Sequence, residues 1–444
     1  MTEPSTNAFI AAGVFVVAYL LIATERLHRT VIAISGAALV LALRLIHQDV
    51  AFSMGHGGVD WNVIFLLVGM MIIVAIARRA GLFQWMAIRA AKLSGGRPLR
   101  ILFLLAGATA LLSAFVDNVT TVLFMAPIAL LIADALGMNP VPLLVSQILA
   151  SNIGGTATLI GDPPNIMIGS AAKLGFIDFL TNLTPIIIVI FFGFVGVYIL
   201  LFRGELRGAG DAAERIAGFD ESRAITDRGL ARKCVIVLAL TFAGFFFHQA
   251  LHLEPATVAL SGAALLLLVS GANITEILHE LEWTTLFFFI GLFVMVGALV
   301  ETGVIARMAA WLIGHAQHHP GPAALGILWA SALVSGVVDN IPFVATMNPM
   351  LVELAAGLAR VPLGSVTPAE LHSAVMMPFW WALALGACLG GNFTLVGASA
   401  NVVVAGILER NDRPITFRQY LRYGIPCTFV TIVLSTVYIW LRYL

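Results

Sequence analysis

Two long stretches of the chain can be laid over one another without a gap, and this duplication constrains the fold more than any other feature. Trp61 to Pro127 aligns onto Trp283 to Pro349, pairing Trp61/Trp283, Gly69/Gly291, Gly81/Gly303, Ser113/Ser335, Asp117/Asp339, Asn118/Asn340 and Pro127/Pro349 at one constant separation. SGAALVLAL from Ser35 matches SGAALLLLV from Ser261, and GGTATLIGDPPN from Gly154 matches GGNFTLVGASAN from Gly390. The chain is therefore two related halves. Composition says where they live: 60% of the 444 residues are apolar, 11% are charged, and the mean hydropathy is +0.98. An ordinary soluble domain carries roughly 25% charge. At roughly 20 residues per bilayer crossing, there is room for about ten crossings.

The apolar runs predict an all-α polytopic membrane protein. The first repeat, 1–202, is expected to hold helices near 8–24, 30–46 and 62–78, and an amphipathic stretch over 80–94. A hairpin over 98–137, a broken helix over 141–172 and a helix near 183–202 follow. A linker, 203–233, separates it from the second repeat, 234–444. That repeat has helices near 234–250, 257–271 and 284–300, an amphipathic stretch 301–316, a hairpin 322–359, a broken helix 371–408 and a last helix near 424–441. If each hairpin enters and leaves on one side, each half makes about five crossings, and the odd number inverts the second half.

Basic residues test this topology, since cytoplasmic segments carry an excess of Lys and Arg. With the N-terminus outside, the cytoplasmic segments hold Arg26 and Arg29; Arg78, Arg79, Arg89, Lys92, Arg97 and Arg100; the basic residues of 203–233; and Arg410, Arg413, Arg418 and Arg422. Only Arg44, Lys173, Arg307, Arg360 and Arg442 fall elsewhere. No basic n-region or small-residue cleavage site marks a cleavable signal peptide at the first apolar stretch. The 24 basic and 24 acidic residues cancel, which gives no reason to expect a nucleic-acid partner. Cys234, Cys388 and Cys427 lack CxxC or Cys/His metal spacing, so neither a metal nor another cofactor is expected.

Polar groups inside the hydrocarbon are costly, which makes the few present informative. Asp117-Asn118 and Asp339-Asn340 sit in the middle of the two hairpins, where Asp and Asn can close a turn. With Thr120 and Thr121 they also make an oxygen-rich site. SNIGGTATLIGDPPN at 151–165 and GGNFTLVGASAN at 390–401 are rich in glycine and small hydroxyl residues, which predicts helices broken in mid-membrane. Asp162 breaks the symmetry, because its counterpart is Ala398. It reads either as a cap before Pro163 or as a proton carrier. Cys388 beside the second break reads as a small buried residue or as a thiol available to a thiophilic substrate.

DNVTT at 117–121, SNIGGTATLIGDPPN at 151–165, DNIPF at 339–343 and GGNFTLVGASAN at 390–401 resemble the motifs of the ArsB/NhaD branch of the ion transporter superfamily. Within it they are most similar to P-protein-like members and arsenite efflux permeases. The resemblance implies two inverted repeats, each with a re-entrant hairpin and a broken helix. In dicarboxylate carriers of the superfamily the hairpin tips carry Ser-Asn-Thr signatures. Here Asn118 and Asn340 correspond, while aspartate replaces the leading serine, which disfavours a dianionic substrate.

The expected function is a secondary transporter of the inner membrane that expels arsenite or antimonite in exchange for protons. Asn118, Thr120, Asn152, Thr156, Asn340, Asn392 and Thr394 are expected to face the substrate, and Asp117, Asp162 and Asp339 to couple an ion. An arsenite-stimulated ATPase and a homodimeric partner are compatible with the resemblance. The alternatives are a sodium/proton antiporter of the NhaD type and an anion or organic-acid carrier. An intramembrane aspartyl protease is disfavoured because the GxGD motif would need glycine where Leu159 stands, and a channel or receptor would lack gradient-driven accumulation.

Overall fold

Every regular element in the computed structural model is helical among the described residues, which are 5–24, 26–53, 57–205, 221 and 224–444. Most of the stretch read as the linker, 206–220 and 222–223, lies outside them. The duplication in sequence is a duplication in structure. Thr6–Ala23, Arg29–Ala42 and Trp61–Arg79 are followed by the amphipathic Leu82–Leu93. Then come a first hairpin, Pro98–Ser113 and Asn118–Ala135; a first broken helix, Pro140–Gly155 and Pro163–Ala172; and Thr184–Phe202. The second half repeats the order with Arg228–Phe247, Pro255–Ser270, Trp283–Glu301 and Val304–Ala316. A second hairpin, Pro320–Val337 and Asn340–Ala359, precedes a second broken helix, Met377–Gly390 and Ser399–Arg410, and the closing Phe417–Tyr443.

Caps explain where several helices begin. The Asp227 carboxylate accepts from the backbone N–H groups of Gly229 and Leu230, so that helix starts upstream of the apolar run from which 234–250 was expected. Thr416 and Gln419 form a capping box that starts the last helix at Phe417 instead of near 424. Short helices at Gln48–Ala51, Phe176–Asn182, Ile274–His279 and Pro368–Leu371 were not foreseen, being too brief to leave a periodic signal. Nine helices among the described residues are long and apolar enough to cross a membrane. They include three hairpin arms, Asn118–Ala135, Pro320–Val337 and Asn340–Ala359, while Arg29–Ala42 and Pro255–Ser270 fall short of that length.

The halves embrace reciprocally. Pro255–Ser270 packs on Trp61–Arg79, and the repeat-equivalent pair, Arg29–Ala42 and Trp283–Glu301, packs in the same way. These four helices make a frame. Trp61–Arg79 and Trp283–Glu301 run antiparallel within it. Arg79, at the end of the former, pairs at 2.7 Å with Glu276 and 2.6 Å with Glu280, just before the start of the latter. At the opposite end the Gly57 carbonyl comes so near Gly297 that a Cβ there would lie 1.9 Å from its oxygen. The end carrying Arg79 also receives Thr226, whose hydroxyl donates to the Arg79 carbonyl, so it is called the linker end below.

Beside the frame, each hairpin packs on its own broken helix, and each hairpin's second arm packs on the far half of the other broken helix. Glycines shared by the two halves permit this. A Cβ on Gly154 would lie 2.1 Å from the Ala110 carbonyl oxygen, and one on Gly390 would lie 2.5 Å from that of Ala332. Both obstacles are backbone and cannot yield. Gly154→Ala is therefore expected to destabilise the purified protein by about 1–3 kcal/mol. Gly107→Ala, whose Cβ would meet only the Phe191 ring at 3.8 Å, is expected to leave the detergent-solubilised melting temperature unchanged or slightly raised.

Candidate transport site

The two hairpin tips and the two breaks meet beside the frame. Each tip is closed by its own aspartate: Asp117 accepts from the Thr120 backbone N–H at 2.9 Å, and Asp339 from that of Ile341 at 3.1 Å. The capping reading of these residues is therefore correct as far as it goes. Asp339 does more. Its Oδ2 accepts from Arg29 Nη1 at 2.8 Å and from the Ser399 hydroxyl at 2.8 Å, and Arg29 also donates to Ser399. Among the described residues Asp117 has no cationic partner of this kind.

The breaks are satisfied by a second pair of equivalent residues. Asn165 Nδ2 donates to the carbonyls of Thr156 at 3.1 Å and Thr158 at 2.9 Å, with Gly155 at 3.5 Å. Asn401 Nδ2 donates to those of Gly391 at 2.8 Å and Thr394 at 2.9 Å. Each amide reaches back across its own break and supplies donors that the interrupted helix no longer provides.

Asn152 ties the halves together. Its Oδ1 accepts from Asn118 at 3.0 Å, and its Nδ2 donates to Asn392 at 2.8 Å and Asn401 at 3.1 Å. Asn118, Asn152 and Asn392, three of the expected substrate ligands, thus form one buried amide chain. Continuing the Gly154/Gly390 register upstream makes Cys388 the counterpart of Asn152. The structure agrees, since the Cys388 thiol points at Asn165 Oδ1 (3.5 Å) as Asn152 Nδ2 points at Asn401 Oδ1. That equivalence was present in the alignment two residues before the first shared glycine.

Asp162 occupies the N-cap position before Pro163, yet its side chain caps nothing. It is buried, and neither carboxylate oxygen has a hydrogen-bond partner. Asp162 borders a cavity of about 30 Å³ together with Asp117, Asn118, Asn340, Ser399, Glu282 and Arg29. Of the remaining expected site residues, Thr156 bonds its hydroxyl back to the Asn152 carbonyl, Thr120 stays half-buried behind Asp117, and Thr394 Oγ1 is buried without a partner. Arg29 was missed as a site residue because positive charge just outside an apolar run reads as a topology signal. No group of three or more His, Cys, Asp or Glu is placed to hold a metal among the described residues.

Residues 19–386 match a family model described as CitMHS, citrate transporter. The chain belongs to the CitMHS family. It is 48% identical over 437 residues to an uncharacterized transporter of Mycobacterium tuberculosis, covering 98% of both chains. It is 33% identical over 508 residues to the P protein of Sus scrofa, covering 97% of this chain and 59% of that protein. Among solved structures, the YdaH transporter of Alcanivorax borkumensis has a TM-score of 0.58 at 16% identity over 98% of each chain. MtrF of Neisseria gonorrhoeae has a TM-score of 0.58 at 9% identity over 100% of this chain and 96% of that one. This CitMHS-family chain is a multi-pass secondary transporter and not an enzyme, and it shares the fold of those two transporters.

The amides across the breaks and the hydroxyl of Thr394 should differ sharply on substitution. Asn165→Ala or Asn401→Ala strands two or more buried carbonyls and is expected to cost about 1–3 kcal/mol each. Thr394→Val removes a hydroxyl that bonds to nothing and is expected to leave stability unchanged or higher. Thermal unfolding of the three detergent-purified variants checks the contrast.

Proposed function

We propose that this transporter exchanges protons for a small oxygen-rich solute at the cavity between the tips and the breaks, with Asp162 as the proton carrier. The observation that carries this reading is Asp162 itself. A buried carboxyl with no ion pair and no well-formed hydrogen bond carries a charge that is poorly compensated, and such a group is suited to take up and give back a proton as access alternates. Asp117 borders the same cavity and is the second coupling candidate, whereas Asp339 is already paired with Arg29. In this reading the halves lie inverted across an inner membrane, with re-entrant hairpins, the N-terminus outside and the 203–233 segment cytoplasmic. The antiparallel frame helices and the ion pairs of Arg79, Arg413 and Arg422 at the linker end support that orientation.

For the substrate, arsenite or antimonite, carried as an uncharged trihydroxy acid, suits the donor set best. The cavity is bordered by three carboxyl groups, two amides and hydroxyls, and its single guanidinium is engaged by Asp339. A multiply charged carboxylate would meet net repulsion there, while a neutral hydroxylated solute can donate to the carboxylates and accept from Asn340. The volume holds about two water molecules, so a trihydroxy acid enters only as the cavity widens. That same small volume, with two unpartnered carboxylate oxygens at its edge, favours sodium/proton exchange as the second reading.

Flux into everted vesicles energised by a proton gradient separates the cases. Proton-driven arsenite accumulation is expected, falling at least about tenfold in Asp162→Asn, which keeps the shape but cannot cycle a proton. Sodium-dependent proton movement with no arsenite flux would replace the first reading by the second. Proton-linked uptake that survives Asp162→Asn would remove Asp162 from the mechanism.

A further inference from the structure

The contacts of Arg29 join parts of the protein that alternate access must separate. Its guanidinium arises at the first residue of Arg29–Ala42 and lies 4.9 Å above the Phe288 ring, with Thr285 Oγ1 at 3.5 Å; all of these belong to the frame. Thr285 in turn donates to Glu282 at 3.1 Å. On the other side the guanidinium grips Asp339 at the second hairpin tip and Ser399 at the start of the half-helix beyond the second break. One side chain therefore fastens tip and half-helix to the frame at the linker end.

The duplicated sequence shows that this fastening has no mirror image. The SGAAL register makes Pro255 the counterpart of Arg29, while Asp117 is the counterpart of Asp339 and Ala398 that of Asp162. An exchange of conformations between inverted halves would bring Pro255 toward Asp117, and proline offers neither charge nor donor. The cavities are unequal in the corresponding sense. The linker-end cavity measures about 30 Å³. The cavity at the opposite end, bordered by Asp60 (the counterpart of Glu282), Phe293 (that of Met71) and Asn348, measures about 530 Å³.

We propose that Arg29 is a one-sided latch: by pairing with Asp339 and Ser399 it holds the transporter closed at the linker end and open at the other, and transport toward the linker end requires its release. Arg29 is thus a positioning residue that sets the balance between the two access states. This rests on the alternating-access reading above. It adds that the two states are unequal in energy because only one of them contains the ion pair.

The test uses full-length protein in proteoliposomes with Cys234, Cys388 and Cys427 replaced and single reporter cysteines introduced by Met71→Cys at the linker-end cavity or Val352→Cys at the opposite one. Labelling by a membrane-impermeant maleimide reads access from each side. Arg29→Gln and Asp339→Asn are each expected to raise the Met71→Cys rate and lower the Val352→Cys rate, shifting their ratio about tenfold, as loss of a charge-assisted pair predicts. Arg29→Lys should shift it less, and the exchange Arg29→Asp with Asp339→Arg should restore it. A merely structural role for Arg29 would not produce opposite changes at the two reporters or rescue by exchange. Reporters that respond reciprocally to a proton gradient in the otherwise unaltered chain but ignore Arg29→Gln would overturn the latch and leave alternating access standing. Reporters that never respond reciprocally would overturn both.

Discussion

Backbone that leaves the helix inside hydrocarbon has to find hydrogen-bond partners within the protein, and the whole centre of this transporter is arranged around that requirement. Asn165 and Asn401 meet it by reaching across their own breaks to the carbonyls that the missing turns expose. Once those amides are committed, the remaining polar groups fall into place around them. Asn152 and Cys388 contact their carbonyl oxygens from the opposite half, so the two breaks are held against each other as well as within themselves. The glycines at 154 and 390 let each hairpin arm lie directly on the helix before its break. A polar centre that would otherwise be prohibitively costly becomes a rigid, closed unit.

The inheritance of the duplication follows a physical division. Positions that solve a backbone problem are the same in both halves: Gly154 and Gly390, Asn165 and Asn401, and the tip-closing Asp117 and Asp339. Positions that carry charge or adaptable chemistry differ: Asp162 aligns with Ala398, Asn152 with Cys388, and Arg29 with Pro255. A symmetric pair of folds tolerates identical scaffolding because both copies face the same steric demands. A second buried, unpartnered carboxyl at the position of Ala398 would add a further desolvation cost to the centre.

Much of this was legible in the residues. The repeat, the helix order, the hairpin tips and the two breaks follow from apolar runs interrupted by Asp-Asn and by glycine-rich segments, and these are strong signals because lipid permits so few exceptions. What could not be read was the direction in which each polar side chain turns. Asn118, Asn152 and Asn392 looked like ligands with open amides, yet they bond to one another. Asn165 and Asn401 lie at the ends of the two segments read as breaks, but only their rotamers show that they serve the backbone. Arg29 was invisible as a site residue for a different reason. Its sequence position is that of an ordinary topology marker, and only the crossing of Arg29–Ala42 over Trp283–Glu301 aims it inward at Asp339.

Charge, finally, links the architecture to what may pass through it only by way of pairing. Of the four carboxyl groups near the tips, Asp339 is neutralised by Arg29, Asp117 is engaged by the backbone it caps, and Glu282 accepts from Thr285. Asp162 alone has no ion pair, cap or well-formed hydrogen bond among the described residues. Under the proposed exchange, a proton on that group would alter the charge of the cavity without breaking the cap at Asp117, the ion pair of Asp339 or the bond from Thr285 to Glu282. The other acids in this centre are each tied to a cap, an ion pair or a hydroxyl, and Asp162 is the one that no such contact fixes.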